Sequence, residues 1–222
     1  GKQITTGSPL IFGGAHSPKL NHLKAWDELQ SAGVTLVRSD FFLDRYIPYK
    51  ITLEQYKENL NNVQDPQSWN QEEIAKVKGV YQEAKKRNMK TMGIVAYAVK
   101  WLTYSQSNYG VPRDWAVYED LVKKTYSLFR NDVDYFEIWN EPDLDHFMDT
   151  KNSGTSKADA YLEVTQHAIK AIREVDAQAN DGKKAVVGVG VMSQPTNNYI
   201  LDKVLSDSNI RSQIGFVSYH NY

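Results

Sequence analysis

Tyr135-Phe136-Glu137-Ile138-Trp139-Asn140-Glu141-Pro142-Asp143 is the stretch on which the reading of this chain turns. Six of the seven residues from Asp134 to Asn140 are aromatic, β-branched or charged in near-alternating order, and the run is too short for a helix, so it predicts a buried strand. Pro142 stops it. Asn140 and Glu141 then stand at the carboxyl end of a strand, where parallel α/β folds place binding and catalytic groups on the loops that follow. The plainer alternative is that Asn140 starts a turn and Glu141 is a solvated carboxylate, since Asn-x-Pro is ordinary loop chemistry.

Outward from that stretch, strand-like and helix-like segments alternate. Residues 10–16 read as a first strand, followed by Ser17 as N-cap and Pro18 at the first helical position. Leu20, Leu23, Trp26 and Leu29 then recur at helical spacing until Gly33. Residues 34–40 are a second strand with Arg38 near its carboxyl end, so His16 and Arg38 fall on one rim. Residues 41–71 exceed a minimal connection, which takes only a few residues. Inside them Thr52 and Gln55 form a capping-box pattern for a short helix over 53–61, and residues 64–68 read as a turn. Asn70 and Glu73 cap the next helix, where Ile74, Val77, Tyr81 and Ala84 keep its period up to Asn88. Residues 90–96 form the third strand.

The loop after that strand holds Tyr97, Trp101, Tyr104, Tyr109 and Trp115, which is more aromatic than a connector needs. Packing on the shoulder of the sheet accounts for some of these rings. The functional alternative is a stacking platform, with Trp101 nearest the strand end. A helix over 114–130 with Tyr118, Leu121, Val122, Thr125 and Phe129 inward leads into the fourth strand. A helix over 157–175 capped by Ser156 and Asp159, a fifth strand over 185–190, a shorter helix over 198–207 and a sixth strand over 214–222 complete the chain. Gly188-Val189-Gly190 lacks the third glycine of a nucleotide fingerprint and is read as a strand that needs close backbone approach.

With 222 residues, 41% of them hydrophobic, the chain can bury one sizeable core, and the expectation is a single domain over residues 1–222. Twenty-six basic against 27 acidic side chains leave a net charge of −1, so no global field points to nucleic acid or an anionic membrane. The absence of cysteine excludes disulfides, thiolate metal sites and cysteine nucleophiles. Five scattered histidines without metal-ligand spacing make a metal centre unexpected, and His146 and His167 are read as surface or helix residues. No run approaches the roughly 20 apolar residues of a membrane span. A leading glycine is what a cleaved tag leaves, so a signal peptide is expected upstream and the protein is expected to be secreted or periplasmic.

Ile138-Trp139-Asn140-Glu141-Pro142 resembles the Asn-Glu-Pro signature of the retaining glycosidases built on (β/α) barrels, and the run through Asp143, Leu144 and Phe147 is most similar to the β-xylosidase and α-L-iduronidase family, family 39, in that clan. The resemblance implies an α/β fold of TIM (β/α)8 type and hydrolysis of O-glycosidic bonds in an oligosaccharide or glycoside by a retaining double displacement, without a cofactor. It implies Glu141 as general acid/base and Asn140 as ligand of the sugar's 2-hydroxyl. Arg38 resembles the arginine beside the nucleophile's carboxylate, and His220-Asn221-Tyr222 resembles a His-x-Tyr near nucleophile and substrate. With His16 and Trp101, the residues Asn140, Arg38, His220 and Tyr222 are the candidate substrate-binding set. After Arg38, Ser39-Asp40-Phe41 and the long insertion depart from the family pattern. Glu137 shares strand parity with Glu141 and is expected to point into the barrel, where a carboxylate must be hydrogen-bonded or paired.

Such a barrel needs eight strands and typically about 250 residues. About six of the eight βα units are legible here, so the chain is expected to be the amino-terminal part of a longer one, with the nucleophilic Glu on a seventh strand beyond Tyr222. Two other readings stay open: a carbohydrate-binding pseudoglycosidase lacking the second carboxylate, and a barrel enzyme that uses Glu141 for proton abstraction.

Overall fold

The computed structural model describes residues 14–47, 50–58, 69–190, 192–194 and 198–218. Six parallel strands lie in one curled sheet in the order of the sequence: β1 (Gly14–His16), β2 (Leu36–Phe42), β3 (Lys90–Ala96), β4 (Tyr135–Ile138), β5 (Val186–Gly190) and β6 (Phe216–Ser218). That order decides the architecture. A doubly wound sheet reverses its strand order at a switch point, whereas a barrel adds each strand beside the last. The chain is therefore a partial TIM-type barrel.

Alternation along the strands separates two faces. Val37, Phe136, Ile138, Val187 and Val189 are buried on the face that the helices cover. On the opposite, inner face the register aligns Met92 with Arg38 and Tyr135, Glu137 with Ile94 and Gly188, and Gly190 with Ser218. Gly188 accommodates the ring of Phe216, whose Cε2 would stand 2.0 Å from an added Cβ. Gly190 has φ +117°, and an added Cβ would come within 2.8 Å of the Ser218 carbonyl oxygen. Both glycines thus serve close approach between β5 and β6, as read from sequence.

The helices are α1 (Leu23–Ser31), α2 (Leu43–Tyr46), α3 (Leu53–Glu58), α4 (Gln71–Lys86), α5 (Trp115–Phe129), α6 (Lys157–Ala179), α7 (Asn198–Leu205) and α8 (Ser208–Gln213). Side chains of Asn70, Asp114, Ser156 and Asp207 accept the backbone N–H three residues on, satisfying donors that a helix start leaves open. The capping box at Thr52 and Gln55 is reciprocal, at 2.9 and 3.1 Å. The buried side of α5 carries Tyr118, Leu121, Val122, Thr125 and Phe129, the set its period predicts.

Several boundaries differ from the sequence reading. α1 starts at Leu23 rather than after Pro18, because the Ser17 N–H donates to the Arg38 carbonyl at 3.0 Å and prolongs the strand pairing. Leu20 then lies against Gly79 of α4 instead of on a helical turn. The segment expected as one helix over 198–207 continues as two helices, since Asp207 starts α8 rather than ending α7. α6 runs past Val175 to Ala179, where Asn180 at φ +46° closes it. β2 begins and ends two residues late, and α2 was unforeseen. The turn over 64–68 and the ends of the first and sixth strands lie outside the described residues.

At the amino end of β5, Asp176 accepts from the Tyr126 hydroxyl (2.5 Å), Arg130 Nε (2.9 Å) and the Ala185 N–H (2.9 Å), tying α5, α6 and β5 together. Arg130 also grips Asp181 through both terminal nitrogens, at 2.6 and 2.7 Å. Hydrogen bonds from the Arg130 guanidinium hold the Asp181 carboxyl well below the usual carboxylate range. A folded-state pKa below the unfolded value of about 3.9 gives stability that is in place above that pH and is lost as pH falls through and below it. Urea midpoints measured between pH 5.5 and 3 should therefore fall less steeply for Asp181→Asn than for the native chain. Equal slopes would show that this pair does not set the acid limit.

Candidate active site

Side chains from β2 and β6 converge on one buried carboxylate of β4; Arg38, expected near the carboxyl end of its strand, is the third residue of a β2 that runs on to Phe42. Glu137 is 1% exposed. Its Oε1 accepts from Arg38 Nη2 at 2.7 Å, and its Oε2 accepts from the Ser218 hydroxyl at 2.6 Å. Arg38 and Ser218 stand two strands away on either side, some 10 Å at the usual strand spacing. Arginine spans that by length. Serine reaches because the sheet curls and because β5, between the two, presents Gly188 and Gly190 at the intervening inner positions. The same Arg38 Nη2 donates its second hydrogen to Asn140 Oδ1 at 3.0 Å, while Arg38 Nε is buried without a hydrogen-bond partner among the described residues.

Beyond Ile138 the backbone leaves the ladder. The Tyr161 hydroxyl of α6 donates to the Ile138 carbonyl at 2.8 Å and accepts from the Gly190 N–H at 3.2 Å, so it occupies the gap where β4 and β5 part. Trp139 and Glu141 then take left-handed backbone conformations, φ +63° and +44°, which non-glycine residues adopt at a cost of roughly 1–3 kcal/mol each. Neighbouring contacts hold them there. Trp139 Nε1 donates to the Phe147 carbonyl at 2.6 Å, the Trp139 N–H donates to the Val95 carbonyl, and Tyr97 meets the Trp139 ring edge-on at 5.1 Å. Asp143 accepts from the Ser193 N–H and hydroxyl at 2.9 and 2.7 Å, clasping the loop after β4 to the segment after β5. Glu141 is itself only 6% exposed.

Of the candidates read from sequence, Arg38, Asn140 and Glu141 are brought to one strand-end cluster. His16 pairs in register with Arg38 and is exposed on the same rim. Trp101 sits in a 3₁₀ turn, Lys100–Leu102, with one face stacked on Tyr56 of α3 at 5.1 Å, so it is directed toward the inserted segment. His220 and Tyr222 lie outside the described residues. Ser218, Tyr161 and Asp143 were missed as parts of the site. The period-2 pattern of the sixth strand puts Ser218 on the inner face, and that parity was the signal available for it. His167 stacks on Trp115 at 4.6 Å, and His146 lies against Tyr109 and Phe147, so both are accounted for by packing. Among the described residues no group of acidic and histidine side chains could hold a metal ion, and no helix is long and apolar enough to cross a membrane.

The family model of Cellulase (glycosyl hydrolase family 5) matches residues 4–222. No curated protein matches the chain. Among solved structures, a glycoside hydrolase family 30 subfamily 8 xylanase from Clostridium acetobutylicum superposes with a TM-score of 0.60 at 13% identity, over 96% of this chain and 50% of that one. A β-glucosidase from Thermotoga maritima gives 0.56 at 13% identity over 90% of this chain and 53% of that one. A hyperthermophilic β-glucosidase from Pyrococcus furiosus gives 0.50 at 13% identity, over 90% and 52%. At such identities the likeness is one of fold. The chain spans about half the length of these three structures. The family model that matches is that of family 5 and not that of the β-xylosidase and α-L-iduronidase family expected from the motif.

Removing the Tyr161 hydroxyl strands a buried carbonyl and a buried N–H together. Tyr161→Phe should lower unfolding free energy by about 1–3 kcal/mol, read from urea titration. A variant as stable as the native chain would show that the hydroxyl is not what keeps the strand ends apart.

Proposed function

We propose, from the premise that this chain belongs to glycosyl hydrolase family 5, the cellulase family, that its strand-end cluster hydrolyses O-glycosidic bonds with Glu141 as general acid/base. The observation that carries the reading is the bond from Arg38 to Asn140 beside Glu141. Arginine can only donate, so the Asn140 carbonyl oxygen faces Arg38 and its amide nitrogen is left to donate elsewhere. A donor next to a strand-end carboxyl is what a sugar hydroxyl close to the scissile bond needs.

Glycoside hydrolysis calls for two carboxyl groups on opposite sides of the anomeric centre. In the proposed sequence Glu141 gives its proton to the glycosidic oxygen as the C–O bond breaks, while a second carboxylate about 5 Å away bonds to the anomeric carbon. Glu141 then takes a proton from water, the water oxygen attacks the anomeric carbon, and the glycosyl-enzyme bond breaks with net retention. The buried, unpartnered Nε of Arg38 supports this version, because it offers an N–H to a further carboxylate, the one the resemblance puts on a seventh strand. Asn140 is assigned the 2-hydroxyl. His16, Trp101, His220 and Tyr222 are assigned to substrate binding, Trp101 through the ring face not covered by Tyr56.

A likeness of the loop after β4 to the β-xylosidase and α-L-iduronidase family, a separate family of the Asn-Glu-Pro clan, belongs to this proposal and rests on Asp143, Leu144 and Phe147. So does a secreted or periplasmic location, which suits a polysaccharide or oligosaccharide substrate. β-Glucosides and β-xylosides, the sugars in the names of the structural neighbours, are the first substrates to assay.

The test is Glu141→Gln in the protein that carries this chain. Glutamine keeps the shape but cannot transfer a proton, so glycosides with poor leaving groups should lose roughly 10²- to 10⁴-fold in kcat/KM. Activated aryl glycosides need little protonation, so their first step should be spared and the glycosyl-enzyme should accumulate, with azide restoring turnover. Equal loss on both substrate types without azide rescue would remove Glu141 from this role. No hydrolysis of any glycoside by the native protein would favour carbohydrate binding alone.

A further inference from the structure

Every hydrogen bond in the chain Ser218–Glu137–Arg38–Asn140 has its direction fixed by chemistry. A carboxylate only accepts, so the Ser218 hydroxyl must spend its hydrogen on Glu137 Oε2, and Arg38 must donate to Oε1. Arg38 Nη2 carries two hydrogens, and the second goes to Asn140 Oδ1. The amide of asparagine is normally ambiguous, with oxygen and nitrogen interchangeable in shape. Here it is not, because a guanidinium facing the amide nitrogen would set donor against donor. Glu137 is 1% exposed, and its hydrogen bonds among the described residues go to Arg38 and Ser218. Its anchored charge holds Arg38, and Arg38 in turn sets which way the Asn140 amide points.

We propose that Glu137 is a positioning residue for substrate selection: through Arg38 it locks the Asn140 amide nitrogen outward, so that the site demands a hydroxyl acceptor on the sugar ring. The inference rests on the reading of Asn140 as a sugar-hydroxyl ligand. Ser218, on β6, completes the lock by filling the second oxygen of Glu137. A purely structural Glu137 would support the fold and leave selectivity alone, so the two roles separate in one ratio.

That ratio is kcat/KM for an aryl glycoside divided by kcat/KM for its 2-deoxy analogue, compared between variants so that the differing intrinsic reactivity of the two substrates cancels. In Glu137→Gln the near-isosteric amide keeps volume but removes the charge that anchors Arg38. The ratio should fall by up to roughly tenfold, the upper end of what one neutral hydrogen bond contributes, whatever common loss both substrates share. Asn140→Leu removes donor and acceptor together at similar volume and should abolish the discrimination. If Asn140→Leu abolishes it and Glu137→Gln leaves it intact, the positioning role is overturned and the assignment of Asn140 stands. A ratio that Asn140→Leu does not change overturns both. Should Glu137→Gln fail to fold, Ser218→Ala removes one of the two donors to Glu137 and leaves the ion pair. A reduced ratio there supports the positioning role, and an unchanged one overturns it.

Discussion

A carboxylate at 1% exposure keeps its charge inside a protein only where donors reach both oxygens, because the desolvation it suffers amounts to several kcal/mol. Glu137 draws those donors from residues 99 and 81 positions away in sequence, on strands to either side of its own. This requirement shapes much of the inner face. Curling of the sheet shortens the distance from β4 to β6, and the two glycines of β5 allow β6 to approach, Gly188 taking the Phe216 ring and Gly190 lying close to Ser218. Losing one partner of a buried pair typically costs 3–5 kcal/mol, so the curl, the two glycines and the ion pair stand or fall together.

The chemistry-bearing end of the sheet and its opposite end are stabilised by different means. At the amino end of β5, Asp176 and Arg130 form a well-satisfied buried network whose only visible task is to bind helices to strand. At the carboxyl ends, two non-glycine residues hold left-handed backbone and a guanidinium nitrogen is buried without a partner. Left-handed backbone on both sides of Asn140 is the kind of strain expected where strand-end loops carry function.

Much of this was legible in the sequence because it depends on local rules. Caps at Asn70 and Ser156, the capping box at Thr52, the third strand from Lys90 to Ala96 and the inner face of α5 are all decided by neighbours within a few residues. The nearness of Arg38 to Asn140 was legible because a strand and a short motif marked both segments, although β2 runs four residues past Arg38. What escaped depends on distant pairing. Leu20 looked helical by spacing, yet packs on Gly79. Asp207 looked like the close of a helix, but an aspartate serves equally as the start of one. Ser218 and Tyr161 are unremarkable in their own segments and acquire a role only through partners on other strands.

The stack of Trp101 on Tyr56 joins two segments that would otherwise be treated as separable loops. Tyr56 belongs to the segment inserted between β2 and α4, and its hydroxyl is held by Asp120 of α5 at 2.5 Å. A loop-exchange library that shuffled the inserted segment alone would therefore uncover one face of the indole and alter the connection after β3 without touching its sequence. The unit of transplantation is the pair of loops together with Asp120, and variation that moves between homologous barrels should travel in that larger block.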